Sequence, residues 1–311
     1  MEKITNIADK NAIVNNDSND DYHGNKDYIG STSVKLYKKS PIHYKFQKVE
    51  STPALEFGTL YHTFILEPDK FEKEYFVFND SEICNELING AFLDDKGMQI
   101  FSQKPRATKI YKEWYSRQMT IAGNRKTVAL DEYKMIKEMK DVLFAHPYAR
   151  YLLTGGVSEL SHYTTLNDVK VKVRPDHLFK KKKICVDLKT AKTAKHEEFP
   201  RNAYDLGYHI SAAMYSDVLE QIYSPGEQWT FFFVVQEKTF PYPFNIFKAS
   251  PQFISVGQYE YEILLEQHKY CLENDDYRGY QVFADNKFGI QSLEIPAYFI
   301  KELTFYNEYK K

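Results

Sequence analysis

Residues 171–192, "VKVRPDHLFKKKKICVDLKTAK", carry the pattern from which the fold of this chain can be predicted. A block of four lysines, residues 180–183, separates two runs in which apolar and charged residues alternate. Alternation with a period of two predicts two strands, and the lysine block between them predicts the turn of a hairpin. The first run ends at Asp176, and the second carries Asp187 and Lys189. We therefore expect antiparallel strands that bring two carboxylates and one lysine together.

These three side chains have a plausible chemistry. On a strand, Asp187 and Lys189 share one face, while Val186 and Leu188 point the other way into a core. Carboxylates as close as Asp176 and Asp187 repel each other unless a cation lies between them, and oxygen ligands suit Mg²⁺, or Mn²⁺ in its place. Lys189 would then orient a nucleophile or neutralise charge in the transition state. The same pattern also fits a surface hairpin with an Asp–Lys pair, because motifs this short recur by chance.

Composition bounds the class of protein without identifying it. The chain has 311 residues, of which 43% are hydrophobic and 16% aromatic, enough for a packed core and for one large or two ordinary domains. The net charge of −2 gives no overall attraction to nucleic acid, so a DNA partner would need local clusters of basic residues. Such clusters lie at Lys35, Lys38 and Lys39, at residues 180–183, and at Lys189, Lys192 and Lys195.

Cysteine usage and hydropathy predict a cytoplasmic protein without membrane contact. The three cysteines form no CxxC pair and no disulfide or zinc pattern, which is typical of a reducing compartment. The N-terminus lacks the basic-then-apolar layout of a signal peptide, and no apolar run approaches about 18 residues.

The rest of the sequence predicts where helices and strands lie. Residues 1–28 are rich in Asn, Asp and Ser and predict a flexible polar tail, whereas residues 29–311 predict a single domain. Helical periodicity predicts an N-terminal helical arm, in which Gly58 would let a neighbour approach closely. A central sheet follows, with residues 169–178 as one strand and 228–238 as a buried strand. Further helices are predicted at 207–223 and 255–274, and a helix or irregular tail at 298–309.

Four stretches, taken in order, carry a resemblance to a known family. They are "STSVKLYKKSPIHYKF" (31–46), "ALEFGTLYHTFILEPDKF" (54–71), "SELSHYTTLNDVKVKVRPDHLFKKKKICVDLKTAKTA" (158–194) and "GYHISAAMYSDVL" (207–219). The chain resembles the exonuclease VIII (RecE-type) exonucleases, a branch of the PD-(D/E)xK superfamily that also includes lambda-type exonuclease. The resemblance implies an α/β fold with a central mixed β-sheet flanked by helices. This restriction-endonuclease-like core would follow the N-terminal helical arm.

The resemblance also implies roles for individual residues. The family's "RPD" falls on Arg174, Pro175 and Asp176, which makes Asp176 the first metal carboxylate. Its "DLKT" falls on residues 187–190, which makes Asp187 the second metal ligand, Lys189 the catalytic lysine and the Leu188 carbonyl a further ligand. The histidine of the family's "GxxxH" element is His62, close to the metal. Without the resemblance, a lone histidine such as His62 is more often structural.

Two further positions match the family incompletely. Glu159 matches an acidic position that could help with a metal or a water, and it could equally be a surface residue of a strand. Tyr215 matches the tyrosine of a "QxxxY" helix face, but Ser211 stands where the family has glutamine. Serine is shorter and has one hydroxyl in place of an amide, so either Tyr208 or His209 compensates or turnover is reduced.

The function implied is that of a Mg²⁺-dependent exodeoxyribonuclease, which degrades linear double-stranded DNA from 5′ ends and leaves 3′ single-stranded overhangs for recombination. The resemblance implies a homo-oligomeric ring and a single-strand annealing recombinase (RecT-type) as partner. Two alternatives stay open: another PD-(D/E)xK endonuclease or repair nuclease, and a nuclease-fold protein that binds DNA with weak or no cleavage. Predicted DNA contacts are Arg174, Thr190, Lys192, Ser211, Tyr215, Lys35 and Lys38.

Overall fold

The computed structural model of the chain describes residues 8–9, 11–47, 51–280 and 290–297. Its α-helices are α1 (Asn19–Gly24), α2 (Ser31–Lys39), α3 (Pro41–Phe46), α4 (Pro53–Leu66), α5 (Pro68–Glu74), α6 (Ser81–Ile88), α7 (Lys109–Ala122), α8 (Leu130–Ala145), α9 (Pro147–Leu152), α10 (Phe199–Asp205), α11 (Tyr208–Tyr223) and α12 (Pro251–Asn274). Its strands are β1 (Ile13–Asn15), β2 (Ile29–Gly30), β3 (Tyr75–Phe78), β4 (Phe92–Leu93), β5 (Gln99–Ile100), β6 (Lys126–Ala129), β7 (Val157–Ser158), β8 (Ser161–Leu166), β9 (Val169–Val173), β10 (His177–Phe179), β11 (Ile184–Ala191), β12 (Thr230–Glu237) and β13 (Phe244–Lys248).

A five-stranded sheet, in the order β13–β12–β11–β10–β7, lies at the centre of the fold. β11 pairs with β12 in parallel and with β10 antiparallel, so the sheet is mixed, as predicted. The apolar run of β12 is buried because helices cover both faces of the sheet. The lysine block makes the turn between β10 and β11, as a short 3₁₀ helix over Lys180–Lys182 followed by Lys183 in the left-handed region at φ 53°.

A second, four-stranded sheet has the order β1–β8–β9–β2. β8 and β9 form the predicted hairpin through Asn167 and Asp168, both of which have positive φ. The prediction of one strand over residues 169–178 is wrong, because β9 ends at Val173 and β10 begins in the other sheet. Pro175 lies at the break, where its missing N–H cannot continue a ladder.

Helix α11 joins the two sheets. It is apolar nearly all round, which is typical of a buried helix. Ile210 and Met214 pack on the core of the four-stranded sheet beside α2 and α12, while Ala212 and Leu219 pack on the five-stranded sheet. The opposite face of the five-stranded sheet is covered by α4, α8 and α9 around Val186 and Leu188, as the period of β11 predicts.

The predicted helical arm is present as α4 to α9, interrupted by the short pairs β3–β6 and β4–β5. Gly58 has no close neighbour among the described residues, because a Cβ added there would meet no heavy atom within 4 Å beyond the adjoining backbone of its own helix. That prediction is wrong, and the close approach occurs instead at Gly257, where α12 crosses α11. Among the helices of the described ranges, none combines the length and apolar character needed to cross a membrane.

Residues 11–28 do not form the predicted flexible tail, because they contain β1 and α1. β1 pairs with β8, and α1 buries the ring of Tyr22, whose residue is 7% exposed. The reason is long-range contact, since Tyr163 and Lys172 of the four-stranded sheet donate hydrogen bonds to the Asp17 side chain and to the backbone carbonyl of Tyr22. The predicted helix or tail at 298–309 lies outside the described residues, and the single-domain assignment to 29–311 stays a prediction.

Candidate functional site

The structure brings Asp176, Asp187 and Lys189 together at the β10–β11 pair. Lys189 Nζ lies 2.7 Å from Asp187 Oδ2 and 4.0 Å from Asp176 Oδ2, so one ammonium group lies between two carboxylates. Asp176 Oδ2 also accepts a hydrogen bond of 2.7 Å from the backbone N–H of Leu188. The register of the two strands therefore fixes Asp176 against the strand that carries the other two side chains. The predicted role of the Leu188 carbonyl as a ligand stays a prediction.

His62 and Glu159 reach the same carboxylate from two other elements. His62, on α4, places Nδ1 3.7 Å from Asp176 Oδ2. Glu159 lies between β7 and β8 with φ of 52°, an uncommon conformation for a residue with a side chain, and its N–H points at the carbonyls of Pro175 and Asp176. One ligand atom from each of His62, Glu159 and Asp176 lies within 4.8 Å of the others.

This donor set fits a divalent metal ion. Two carboxylate oxygens and one imidazole nitrogen converge, and Asp187 stands beside them on the next strand. Carboxylates suit Mg²⁺ and Mn²⁺, and an imidazole is a good ligand for first-row transition metals. Among the described residues, His62, Glu159 and Asp176 form the one group of His, Cys, Asp and Glu side chains close enough together to hold an ion.

The electrostatics of the site follow from crowding of carboxylates in partly buried surroundings. Burial raises the pKa of Asp187, although the nearby Lys189 opposes the shift. Burial alone would lower the pKa of Lys189, but Asp187 and Asp176 outweigh it and the pKa is raised. Burial, and then the charge of Asp176, raises the pKa of Glu159 to about 8, against the opposing charge of Arg174. A cation bound among these carboxyl groups would therefore relieve their mutual repulsion.

Because the pKa of the Glu159 carboxyl is raised in the folded protein, the stability of the metal-free protein should depend on pH. Its pKa rises from 4.5 to about 8 on folding, so between those values the folded state holds more protons than the unfolded state. The free energy of unfolding therefore falls as the pH rises through this window, by up to about 1.4 kcal/mol per pH unit. Glu159→Gln removes the titration, so the variant should gain stability relative to wild type from about pH 5 to 8 and no further above it.

Urea unfolding in the presence of EDTA at about pH 5.5, 7 and 8.5 measures this difference. Glu197→Gln, at an exposed position, is the matched control and should show a constant difference from wild type. A constant difference for Glu159→Gln as well would contradict the assignment of a raised pKa to this carboxyl.

Helix α2 delivers a second lysine to the site. Lys35 is partly buried, and burial together with the charge of Lys189 lowers its pKa to about 8, while Asp187 opposes that shift. The Nζ atoms of Lys35 and Lys189 each lie 5.7 Å from the centroid of the Tyr208 ring. A cation this close to an aromatic face is attracted by the ring quadrupole. Tyr208 thus lies close to both ammonium groups. The sequence suggested this residue only as a substitute for Ser211.

The helix face predicted to look at DNA is turned partly toward α2. Ser211 Oγ donates to Ser31 Oγ at 3.2 Å. Tyr215 is half-buried, and its pKa is raised by burial and then by the charges of Asp187 and Asp176. Of the two candidates to compensate for Ser211, Tyr208 faces Lys189, whereas His209 is fully buried with Nε2 3.2 Å from Glu260.

The remaining predicted DNA contacts differ in their surroundings. Lys192 is exposed beyond the end of β11, and Thr190 is half-buried on that strand. Lys38 Nζ lies 2.8 Å from Glu260 and 4.8 Å from the Tyr204 ring centroid, which gives it an intramolecular partner. The side chain of Arg174 is only 9% exposed and pairs with Glu159 at 3.0 Å. The structure thus keeps Lys192 open to solvent and engages Lys38 and Arg174 within the protein.

Comparison with known proteins adds a family and a fold. A family model described as "PDDEXK-like domain of unknown function (DUF3799)" matches residues 31–280. The crystal structure of a protein from Eubacterium rectale named "Putative exonuclease" is similar in fold, with a TM-score of 0.55 and 16% sequence identity over 90% of this chain and 95% of that one. Among curated proteins, none matches the chain.

Proposed function

Because this chain belongs to the family of PDDEXK-like domains (DUF3799), we propose that it is a metal-dependent nuclease, and more narrowly an exodeoxyribonuclease that degrades linear double-stranded DNA from 5′ ends. The observation that carries the proposal is the placement of Lys189 between the carboxylates of Asp176 and Asp187, with His62 beside Asp176. The resemblance to exonuclease VIII, and a neighbour in fold that is named as an exonuclease, support end-dependent cleavage over internal cleavage.

The metal site would be held by Asp176, Asp187 and Glu159, with His62 as a nitrogen donor. A divalent cation bound there supplies positive charge beside the scissile phosphate and makes a nucleophilic water available at neutral pH. We propose Mg²⁺ as the physiological ion and Mn²⁺ as a substitute, because each accepts carboxylate ligands and keeps several waters.

In this proposal, lysine residues of the protein bind phosphate groups and orient the attacking water. Lys189 carries a stable positive charge, since its pKa is raised by Asp187 and Asp176, and it can hold a phosphate oxygen or orient the attacking water. Lys35, which like Lys189 lies near the Tyr208 ring, adds a second ammonium group to this part of the site. The exposed Lys192 would contact backbone phosphates further along the DNA, which makes binding sensitive to salt.

We further propose, from the resemblance alone, that the protein acts as a homo-oligomeric ring beside a RecT-type single-strand annealing recombinase. The product would be a 3′ single-stranded overhang for recombination. Mixing the purified protein with an annealing protein of that type, and measuring their co-elution and the molecular mass of the nuclease alone, tests both assemblies.

Cleavage of end-labelled DNA tests the nuclease assignment. Linear duplexes labelled at the 5′ or the 3′ end, and a closed circle, are incubated with Mg²⁺ and wild type, Asp187→Asn or Asp168→Asn. We expect wild type to release the 5′ label from linear DNA first and to leave the circle intact. Asp187→Asn should be slower by roughly 10³-fold, because it removes one charge from the metal site. Asp168→Asn, in an exposed turn, is the matched control and should cleave like wild type.

Other results of this experiment would indicate a different activity. Cutting of the circle would favour an endonuclease of the same superfamily. Early release of the 3′ label would reverse the polarity. DNA binding without cleavage by wild type, with either Mg²⁺ or Mn²⁺, would refute the enzyme assignment and leave a nuclease-fold DNA-binding protein.

A further inference from the structure

The N-terminal segment, residues 17–25, lies over strand β9 and is anchored there by a buried lysine. Lys172 is 6% exposed, and its Nζ donates to the backbone carbonyls of Tyr22 and Asn25, each at 2.5 Å. The same Nζ lies 4.9 Å from the centroid of the Tyr22 ring. A buried ammonium group that lost these carbonyls would be left without compensation, so the anchor is specific for the docked segment.

Arg174 connects this segment to the candidate metal site. Its NH2 group donates to Asn19 Oδ1, and its guanidinium carbon lies 4.5 Å from the centroid of the Tyr22 ring. Its Nε lies 3.0 Å from Glu159 Oε2. The planar guanidinium is thus held on one side by an amide and an aromatic face and on the other by a carboxylate, an arrangement that arginine makes and lysine cannot.

We infer that Asn19 and Tyr22 are positioning residues for the metal site, which they support through Arg174 and Glu159. The inference rests on the proposed function, because it concerns the affinity of that site for its ion. With the segment in place, Arg174 is fixed in one conformation and holds the Glu159 carboxylate beside Asp176 and His62. Without it, Arg174 regains its rotamers, and Glu159 loses the partner that orients it.

Metal binding by the full-length chain tests the inference directly. Isothermal titration with Mn²⁺ would compare wild type with Asn19→Ala/Tyr22→Leu, and thermal unfolding in EDTA would measure stability alongside. We expect the double variant to bind Mn²⁺ at least about tenfold more weakly, the effect typical of losing partners that orient metal ligands. Tyr22→Phe alone should keep wild-type affinity, because the ring and not the hydroxyl contacts Arg174.

The matched control is Asp17→Asn, in the same segment. It disturbs the bond that Tyr163 donates to Asp17 and removes none of the contacts that Asn19 and Tyr22 make with Arg174. Its Mn²⁺ affinity should stay within about twofold of wild type even where its unfolding temperature falls as far as that of the double variant.

Three results would overturn the inference: unchanged affinity in the double variant, an equal loss in Asp17→Asn, or no Mn²⁺ binding by wild type. Failure of the proposed function looks different. If Mn²⁺ affinity depends on Asn19 and Tyr22 as expected and no variant cleaves DNA, the positioning role stands and the nuclease assignment falls.

Discussion

Lys189→Met should reduce both stability and DNA cleavage, and the second loss should persist when the first is repaired. Removing the ammonium group leaves Asp187, a buried carboxylate, without its partner at 2.7 Å and exposes it to Asp176. Breaking one half of such a pair costs about 3 kcal/mol of unfolding free energy. Cleavage should fall by roughly 10³-fold, because Lys189 is the lysine that lies between the Asp176 and Asp187 carboxylates.

The double variant Asp187→Asn/Lys189→Met tests whether loss of the ion pair causes the instability. Both charges are absent, so urea unfolding in EDTA should give a free energy within about 1 kcal/mol of wild type, while cleavage stays lost. If the double variant were as unstable as Lys189→Met, the ion pair would not be the cause of the instability. If either variant cleaved DNA at the wild-type rate, Lys189 would have no part in catalysis.

Gly257→Ala should destabilise the protein by about 3 kcal/mol or more. A Cβ at this position would lie 2.1 Å from the backbone oxygen of His209 and 2.5 Å from its carbonyl carbon. Those atoms belong to the backbone of α11 and cannot swing aside as a flexible side chain could. Helix α12 would have to move away from α11, which carries Tyr208, Ser211 and Tyr215 toward the candidate site.

Gly58→Ala provides the matched control, because it makes the same change within another helix. Beyond the adjoining backbone of α4, no heavy atom of the described residues lies within 4 Å of the added Cβ, so the higher helix propensity of alanine should stabilise α4 by up to about 1 kcal/mol. Thermal and urea unfolding of both variants measure the contrast. Equal effects of the two substitutions would contradict the close approach of α12 to α11.

The sequence could predict those parts of the fold in which burial makes apolar and polar residues alternate. Val186 and Leu188 alternate with Asp187 and Lys189 because one face of β11 meets a core and the other meets the site. The N-terminal segment has no such period. Its docking depends on Lys172, whose partner Tyr22 lies 150 residues away in the chain, and composition alone gives no signal for a contact of that range.

The site residues likewise fall into two groups: those that strand period could bring together and those that it could not. Asp176, Asp187 and Lys189 could be brought together from strand period and hairpin register. His62 and Glu159 could be named only through the resemblance, because nothing local fixes where α4 or the β7–β8 connection lies. The cluster of Lys35 and Lys189 around Tyr208 depends on how α2 and α11 pack on the sheet. The only local sequence signal for this cluster is a tyrosine that follows a glycine, and many unrelated helices begin in the same way.

The short strand β1 has a consequence for solubility. It has three residues and lies at the edge of the four-stranded sheet, against β8. An edge strand presents unpaired N–H and C=O groups to any extended chain that meets it, and short edges limit such encounters. Beneath it, β8 has six residues, five of them buried, and so offers a longer edge. Strand β1 thus covers an edge of β8 that would otherwise be open to pairing with another molecule.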